Sequence, residues 1–539
     1  MRRKASRRTT TSAPRVSRIT KAVDATLAMP SVLCAADTLP PRFNAAQWFV
    51  GRHAAEGRGG RLAAETDDGT LTYAALDEHA RGFAAYLLAS GVHPGERVAI
   101  IMPDSLAFAV AFWGALAAGC IAVPLNPLLT AADLRTILED CGAQFCVGES
   151  ARDGATLLPD GCACVDEDAV LAHARETSPI TAYAATHRDA FAFFLYSSGT
   201  TGEPKGVVHL HHDMWVCART YAEHILQIRP DDRTFSVAKL FFAYGLGNGL
   251  YFPNDVAAAC VLYRGRPMPE SIFAQVASHR PTLFFGVPSA YALMLAAIED
   301  GATFDFSSVR MCVSAGEALP PGIFDRWRER TGLEIIDGIG STEILHIFLS
   351  NAHGDIAPGS SGRPVPGYAV RIVDEAENDC GVDEVGDLLV RGDSTMALYW
   401  NKHERTKATL SGEWIRTGDK YRCDADGRYW HAGRSDDMLK VGGIWVSPVE
   451  VEAVISAHEA VLECAVIGQA DGDGLTKPHA YVVLRAPRDH AELESELKVF
   501  VKSRLAPYKY PRWISVVDAL PKTATGKTQR FVLRSRAEA

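Results

Sequence analysis

Four near-continuous apolar runs stand out along the chain: RVAII (97–101), FAFFLYS (191–197), PTLFFGVPS (281–289) and VRMCVSAGEAL (309–319). A strand needs apolar side chains at successive positions when both of its faces are covered, so these runs predict fully buried strands. Helical stretches alternate with them, which predicts an α/β fold of parallel sheets covered by helices on both faces. After about residue 355 the pattern changes. YAVRIVDE and GDLLVRG alternate in polarity between turn residues and predict short antiparallel strands, a small β-barrel-like subdomain. The polar, Gly-rich stretch GRSDDMLKVGG (433–443) predicts a hinge, and a smaller α+β unit follows. Its first helix has a marked start: Ser447 as N-cap, Pro448 at the first helical position and Glu450 three residues on.

One stretch, Ser105 to Ala132, imitates a membrane span because it holds no charged residue. Gly119 ends a helix too short to cross about 30 Å of hydrocarbon. CIAVP then predicts a short buried strand, and Pro124 and Pro127 break the run, so no membrane helix is expected. The 539 residues are 47% hydrophobic and 22% charged, ordinary for globular protein, and the net charge of −10 argues against a nucleic-acid partner. Charge is uneven. Eight basic residues against Asp24 give residues 1–28 a net +7, leaving −17 for the remainder of the chain. This Ser/Thr-rich segment lacks the apolar core of a secretory signal. It is expected to be a disordered tail, or to precede a true start at Met29, rather than a targeting peptide or nucleic-acid arm. The twelve cysteines are scattered without a CxxC, a pattern of reduced thiols in a cytoplasmic protein.

Chemistry concentrates in YSSGTTGEPKG (196–206), directly after the FAFFLY strand. Glycines let backbone N–H groups converge, hydroxyls add donors and Lys205 adds charge, a combination suited to a polyphosphate. The spacing is G-x-x-G-x-x-K-G, not that of the common P-loop, and Lys205 precedes Gly rather than a magnesium-ligating Ser or Thr. A second candidate, PKTATGKTQR (521–530), has Pro521 where a P-loop needs Gly and too few residues after it for a βαβ unit. The HLHH run (209–212) has no matching Cys or carboxylate set and predicts no metal site; the segment after it reads as the start of an amphipathic helix.

YSSGTTGEPKG, GIGSTE (338–343), RTGD (416–419), GRSDDMLKVGG and PKTATGKTQR occur in the order and spacing of the adenylate-forming superfamily of acyl-CoA synthetases, adenylation domains and luciferases. The resemblance covers about residues 35–535. KLFFAYGLGNGLYFP (239–253), GSTEILHIFLSN (340–351) and SRLAPYKYPRWI (503–514) resemble the benzoate-CoA ligase branch. The resemblance implies a basic tail (1–34), an N-terminal adenylation domain (35–433), a hinge (434–437) and a mobile C-terminal domain (438–539).

It also implies roles. Ser197, Ser198, Gly199, Thr200, Thr201, Gly202 and Lys205 would hold the β- and γ-phosphates of ATP. Thr342 would bind the α-phosphate and Glu343 would position Mg2+, for which a carboxylate is a suitable hard ligand. Asp419 would accept both ribose hydroxyls, supported by Arg434. Gly316, Glu317, Ala318, Asp337 and Gly338 would line the adenine site, where Ile339 replaces the aromatic residue of many relatives. Lys527 would be the adenylation catalyst, stabilising charge that builds on the transferring oxygens. Asp436 would be the pivot. Lys440, Gly442 and Gly443 would line the coenzyme A passage, with Trp445 either flanking it or packing.

Ala243, Tyr244, Gly340, His346 and Ile347 match the branch's acyl-pocket positions, with His346 contacting the carboxylate or a ring substituent. Phe242 stands where many relatives carry His. The expected activity is ATP-dependent conversion of benzoate or a substituted benzoate to its CoA thioester, within aromatic-compound catabolism, by a monomer or homodimer. The alternative is an aryl-acid adenylation enzyme loading a separate carrier-protein thiol.

Overall fold

The computed structural model describes residues 36–152, 155–198, 204–434, 437–441, 444–472, 475–522 and 528–538. The basic tail therefore lies outside the described residues. Two large sheets form the body. In the nine-stranded sheet, Leu62–Thr66, Ala259–Val261, Arg233–Ser236, Leu283–Gly286, Met311–Ser314 and Ile335–Gly340 run parallel, each hydrogen-bonded to the next. Antiparallel strands Gly69–Thr72 at one edge, and Ile347–Ser350 with Arg363–Pro364 at the other, complete it. In the seven-stranded sheet, Ala163–Val165, Phe145–Gly148, Arg97–Ile101, Ile121–Leu125 and Phe191–Ser198 are parallel, and Pro204–Leu210 and Leu398–Tyr399 add antiparallel partners.

The uncharged run beginning at Ser105 folds as predicted. Ser105 Oγ accepts from the Phe108 N–H at 3.2 Å and caps the helix Leu106–Ala117, which ends before Gly119 at φ +77°. From Ala107 onward every residue of this helix is buried. Removing each large side chain from water contributes about 1.5–3 kcal/mol, so the uniform apolarity reflects a helix covered all round. Pro124 does not break the strand but lies inside it, opposite Ile100. A proline cannot donate to a ladder, and on its other side Ile121–Leu125 pairs with Phe191–Ser198 through Ala122 and Phe193. No helix among the described residues is long and apolar enough to cross a membrane.

After residue 355 the chain forms the antiparallel sheet Ala369–Val373, Gly386–Arg391, Trp414–Cys423 and Leu410–Ser411, with Tyr429–Arg434 on the long strand. The C-terminal unit has its own core, including Val451, Val466, Val482 and Leu497. Its sheet joins Val461–Ala470, Thr476–Leu484 and Trp513–Val516, flanked by helices Pro448–Ser456, His490–Lys502 and Arg530–Glu538. Ser447 Oγ accepts from the Glu450 N–H at 3.1 Å, as the sequence at this helix start predicts.

Candidate active site

The segment expected from its sequence to bind phosphates lies between the strands Phe191–Ser198 and Pro204–Leu210, which pair antiparallel with Ser197 opposite Lys205. Gly199, Thr200, Thr201 and Gly202 lie outside the described residues, as does the side chain of Ser198. Lys205 Nζ is 3.9 Å from Glu343 Oε1 and 4.8 Å from the centre of the Tyr399 ring. Burial pulls the Lys205 ammonium below its ordinary pKa; Glu343 opposes the shift, and Arg405 and Arg434 add to it. Tyr399 O–H donates to Glu343 Oε1 at 2.7 Å. Burial, and then the Glu343 charge, raise the phenol above its ordinary pKa, so it remains a donor. These groups open onto a cavity of about 400 Å³, whose wall also carries Ser341, Arg405 and Gly418. Four cations, Lys205, Arg405, Arg416 and Arg434, line the cavity with Glu343 and give it positive potential, which favours a polyanion.

Thr342 and Glu343 lie on a single 3-10 turn, Thr342–Ile344, after the strand Ile335–Gly340. The Met396 N–H donates to Glu343 O at 2.7 Å, and Ser394 Oγ donates to Ile344 O at 2.8 Å. Leu345 follows at φ +71°, a conformation a branched side chain adopts at a cost of about 1–3 kcal/mol. The surrounding bonds hold a turn that the local sequence does not favour.

A second carboxylate lines the same region. Asp419 and Arg434 are cross-strand partners, with Arg434 Nη1 3.3 Å from Asp419 Oδ1 and His431 Nε2 3.9 Å from it. Gly418 precedes Asp419 at φ +76°, and a Cβ there would stand 3.1 Å from Arg434 Nη2. Asp337 lies deeper. Its Oδ1 has no hydrogen-bond partner, its Oδ2 is 3.5 Å from the Leu319 N–H, and burial pushes its pKa up to about 8. Gly338 beside it has no room for a side chain, since a Cβ would come 2.7 Å from Leu349 O. Gly316 (φ +96°), Glu317 and Ala318 form the turn between the Met311–Ser314 strand and Leu319.

The sequence-predicted acyl residues come together in an aromatic compartment. His346 is buried, with ring centres of Phe252, Tyr221 and Tyr244 at 4.5, 5.3 and 5.6 Å. Neither of its nitrogens has a hydrogen-bond partner, and burial holds its pKa down to about 3. A neutral imidazole has one donor and one acceptor to offer. Gly340 and Gly247 make room for it: a Cβ at Gly340 would lie 2.5 Å from His346 O, and one at Gly247 2.6 Å from His346 Cδ2. Ile347 is buried in the adjoining strand, and Ala243 begins a short helix whose N-cap is Phe242.

In the C-terminal unit, Lys527, Asp436, Gly442 and Gly443 lie outside the described residues. The backbones of Lys440 and Trp445 pair across the hairpin Leu439–Val441 and Ile444–Val446; their side chains are likewise outside. Arg530 binds Glu452 at 2.8 Å, lies 3.7 Å from Asp437, and is within electrostatic reach of Glu317 on the turn after the Met311–Ser314 strand. Sequence reasoning missed Tyr399, Arg405 and Tyr221. Nothing in the residues beside them says what they face.

A parallel α/β body with a cationic cavity, a tied carboxylate and a second carboxylate beside an apolar compartment defines an enzyme that handles nucleotide phosphates next to an organic substrate. Residues 51–400 match the model of the AMP-binding enzyme family, and residues 450–527 match that of the AMP-binding enzyme C-terminal domain. The chain belongs to the AMP-binding enzyme family. It is 46% identical over 513 residues to a benzoate–CoA ligase of Thauera aromatica, covering 92% of this chain and 97% of the relative. A 4-hydroxybenzoate–CoA/benzoate–CoA ligase of Rhodopseudomonas palustris is 44% identical over 91% of this chain and 94% of its own. Among solved structures, the anthranilate CoA ligase AuaEII in complex with anthranoyl-AMP superposes with TM-score 0.88 at 41% identity, covering 93% of this chain and 99% of its own. A benzoate CoA ligase from Burkholderia xenovorans LB400 superposes with TM-score 0.84 at 47% identity, covering 91% and 100%.

Proposed function

We propose that the protein is an AMP-forming acid–thiol ligase that activates benzoate or a small ring-substituted benzoate. A carboxylate oxygen of the acid attacks the α-phosphorus of ATP, the bond to the bridging oxygen breaks, and pyrophosphate leaves with the electron pair. The thiolate of coenzyme A then attacks the carbonyl carbon of the aroyl adenylate and AMP departs. The observation that carries this reading is the meeting of the Lys205–Glu343–Tyr399 cluster with the strand-paired Asp419 and Arg434, beside the aromatic compartment around His346.

Within it, Ser197 to Lys205 hold the leaving phosphates, Thr342 meets the α-phosphate, and Asp419 with Arg434 takes the ribose. Gly316 to Ala318, Asp337 and Gly338 border adenine. Ala243, Tyr244, Gly340, His346 and Ile347 surround the aryl ring; its flat face suits aromatic walls and glycine-lined space. Mg2+ fits here through Glu343. Magnesium is held in such sites by one or two carboxylates plus substrate phosphates. Glu343 offers such a carboxylate, with its Oε1 held by the Tyr399 hydroxyl at 2.7 Å. When bound, the ion neutralises charge on the phosphate oxygens.

Lys527 supplies the positive charge at the reacting oxygens, and its loss costs on the order of 10²–10³-fold in adenylation. Residues 438–539 swing about Asp436 to exchange Lys527 for the coenzyme A passage at Lys440, Gly442, Gly443 and Trp445. We place the enzyme in the cytoplasm, in aromatic-compound catabolism, as a monomer or homodimer. The test is incubation with ATP, Mg2+, coenzyme A and a panel of benzoates. Aroyl-CoA and AMP in equal amounts are expected. Aroyl adenylate without aroyl-CoA supports carrier loading instead, and faster turnover of fatty acids than of benzoates refutes the reading of the aromatic compartment.

A further inference from the structure

His209, which the sequence pattern leaves without a task, lies on the strand that begins at the phosphate loop, four residues after Lys205. It is fully buried and stacks on Phe193, its cross-strand partner, with ring centres 5.2 Å apart. Its Nδ1 is 2.7 Å from Asp213 Oδ2, and its Nε2 is 2.7 Å from the carbonyl oxygen of Thr342. A carbonyl oxygen accepts and cannot donate, so Nε2 carries the hydrogen of that bond. Asp213 is itself fixed: Oδ2 also accepts from the Leu210 N–H at 3.0 Å.

The Thr342 bond completes a series. Thr342, Glu343 and Ile344 each present a carbonyl to a donor outside the turn: His209 Nε2, the Met396 N–H and Ser394 Oγ. Two donors come from the segment before Leu398, whereas His209 comes from the strand carrying Lys205. We propose that His209, oriented by Asp213, is a positioning residue for adenylation: it locks the Thr342–Glu343 turn to the phosphate-loop strand, so that the leaving-phosphate site and the α-phosphate site keep one fixed separation. The inference rests on the role proposed above for Thr342 and Glu343. Placement errors of about 1 Å at reacting groups cost roughly 10²-fold in rate, the scale on which such a lock acts.

Four variants test it: His209→Phe, which keeps an aromatic ring; His209→Gln, whose amide N–H stands where Nε2–H does; His209→Asn, whose amide reaches toward Asp213 instead; and Glu343→Gln as reference. Adenylation is read by benzoate-dependent pyrophosphate–ATP exchange, and thioester formation by adding benzoyl adenylate and coenzyme A. His209→Phe and His209→Asn are expected to lower the exchange kcat by about 10–100-fold, with the thioester step within about threefold of wild type and His209→Gln restoring most of the exchange rate. Equal exchange rates in His209→Gln and His209→Asn, at any level, overturn the proposal, as do parallel losses in both half-reactions. Wild-type exchange in Glu343→Gln instead overturns the reading of the turn on which the proposal stands.

Discussion

Tyr399→Phe isolates one bond at the heart of the cavity. The substitution keeps the buried ring and its place 4.8 Å from Lys205, and removes the hydroxyl that donates to Glu343 Oε1 at 2.7 Å. A hydrogen bond to a charged group contributes about 1.5–3 kcal/mol. Without it, the nearest cation to that oxygen is Lys205 Nζ at 3.9 Å, too far to fix the carboxylate's rotation. At about 1.4 kcal/mol per decade, full expression of the loss in the adenylation barrier lowers its rate roughly 10–150-fold. The phenol pKa is raised, so the hydroxyl stays a donor and the defect is constant between about pH 6 and 9. Pyrophosphate–ATP exchange measures the affected step, and thioester formation from supplied benzoyl adenylate is the internal control. An exchange rate within twofold of wild type, in a protein melting at the wild-type temperature, refutes the reasoning, because it means Glu343 is oriented without Tyr399.

Other outcomes follow from the same geometry. Asp419→Asn, which replaces one of two acceptor oxygens by a donor beside Arg434, raises the ATP KM by about tenfold or more in steady-state assays. Arg405→Ala removes one of the cavity's cations and weakens product inhibition by pyrophosphate about tenfold, less so at high salt. Asp337 carries a pKa of about 8 in the fold against an ordinary value of 3.8. The folded chain therefore keeps a proton that the unfolded chain releases, and stability falls as pH rises between about 4 and 8. Asp337→Asn removes that slope, so parallel Tm-against-pH profiles for variant and wild type count against the assignment. Lys527→Gln, which mimics an acetylated lysine in lacking charge, loses adenylation by about 10²–10³-fold while thioester formation from preformed adenylate persists.

Five strands of the two large sheets were legible because a strand covered on both faces needs apolar residues at every position, and FAFFLYS and RVAII meet that requirement without help from neighbours. The Ser447 cap was legible because capping is local, satisfied within four residues. The remainder depends on partners far apart in the chain. Nothing around Tyr399 announces Glu343, 56 residues earlier, and nothing around His209 announces Thr342, 133 residues later. The strand predicted to end at Pro124 runs one residue past it, because a lost donor is tolerated where one ladder has thinned to a single pair, a property of the neighbour rather than of the proline. Local pattern thus marked buried strands and a helix start, and long-range pairing decided how the polar residues are held.

That division explains why the aromatic compartment is built as it is. His346 brings two ring nitrogens without protein partners into a buried setting, where a polar group left unpaired costs free energy. Tyr221, Tyr244, Tyr251 and Asn248 bring further polar atoms into the same interior. Aromatic packing alone would be served by phenylalanine at several of these positions, without the donors and acceptors. The cost is offset when an incoming acid supplies a hydrogen-bonding group, and it persists when the acid does not. Discrimination against a substrate that leaves buried polar groups unpaired exceeds what an apolar wall achieves by shape, where one added group changes affinity by about 1–3 kcal/mol. With the compartment taken as the aryl site proposed above, kcat/KM across hydroxy-, amino- and methyl-substituted benzoates of equal size is expected to separate by polarity more than by volume, and a ranking by volume alone counts against that role for His346.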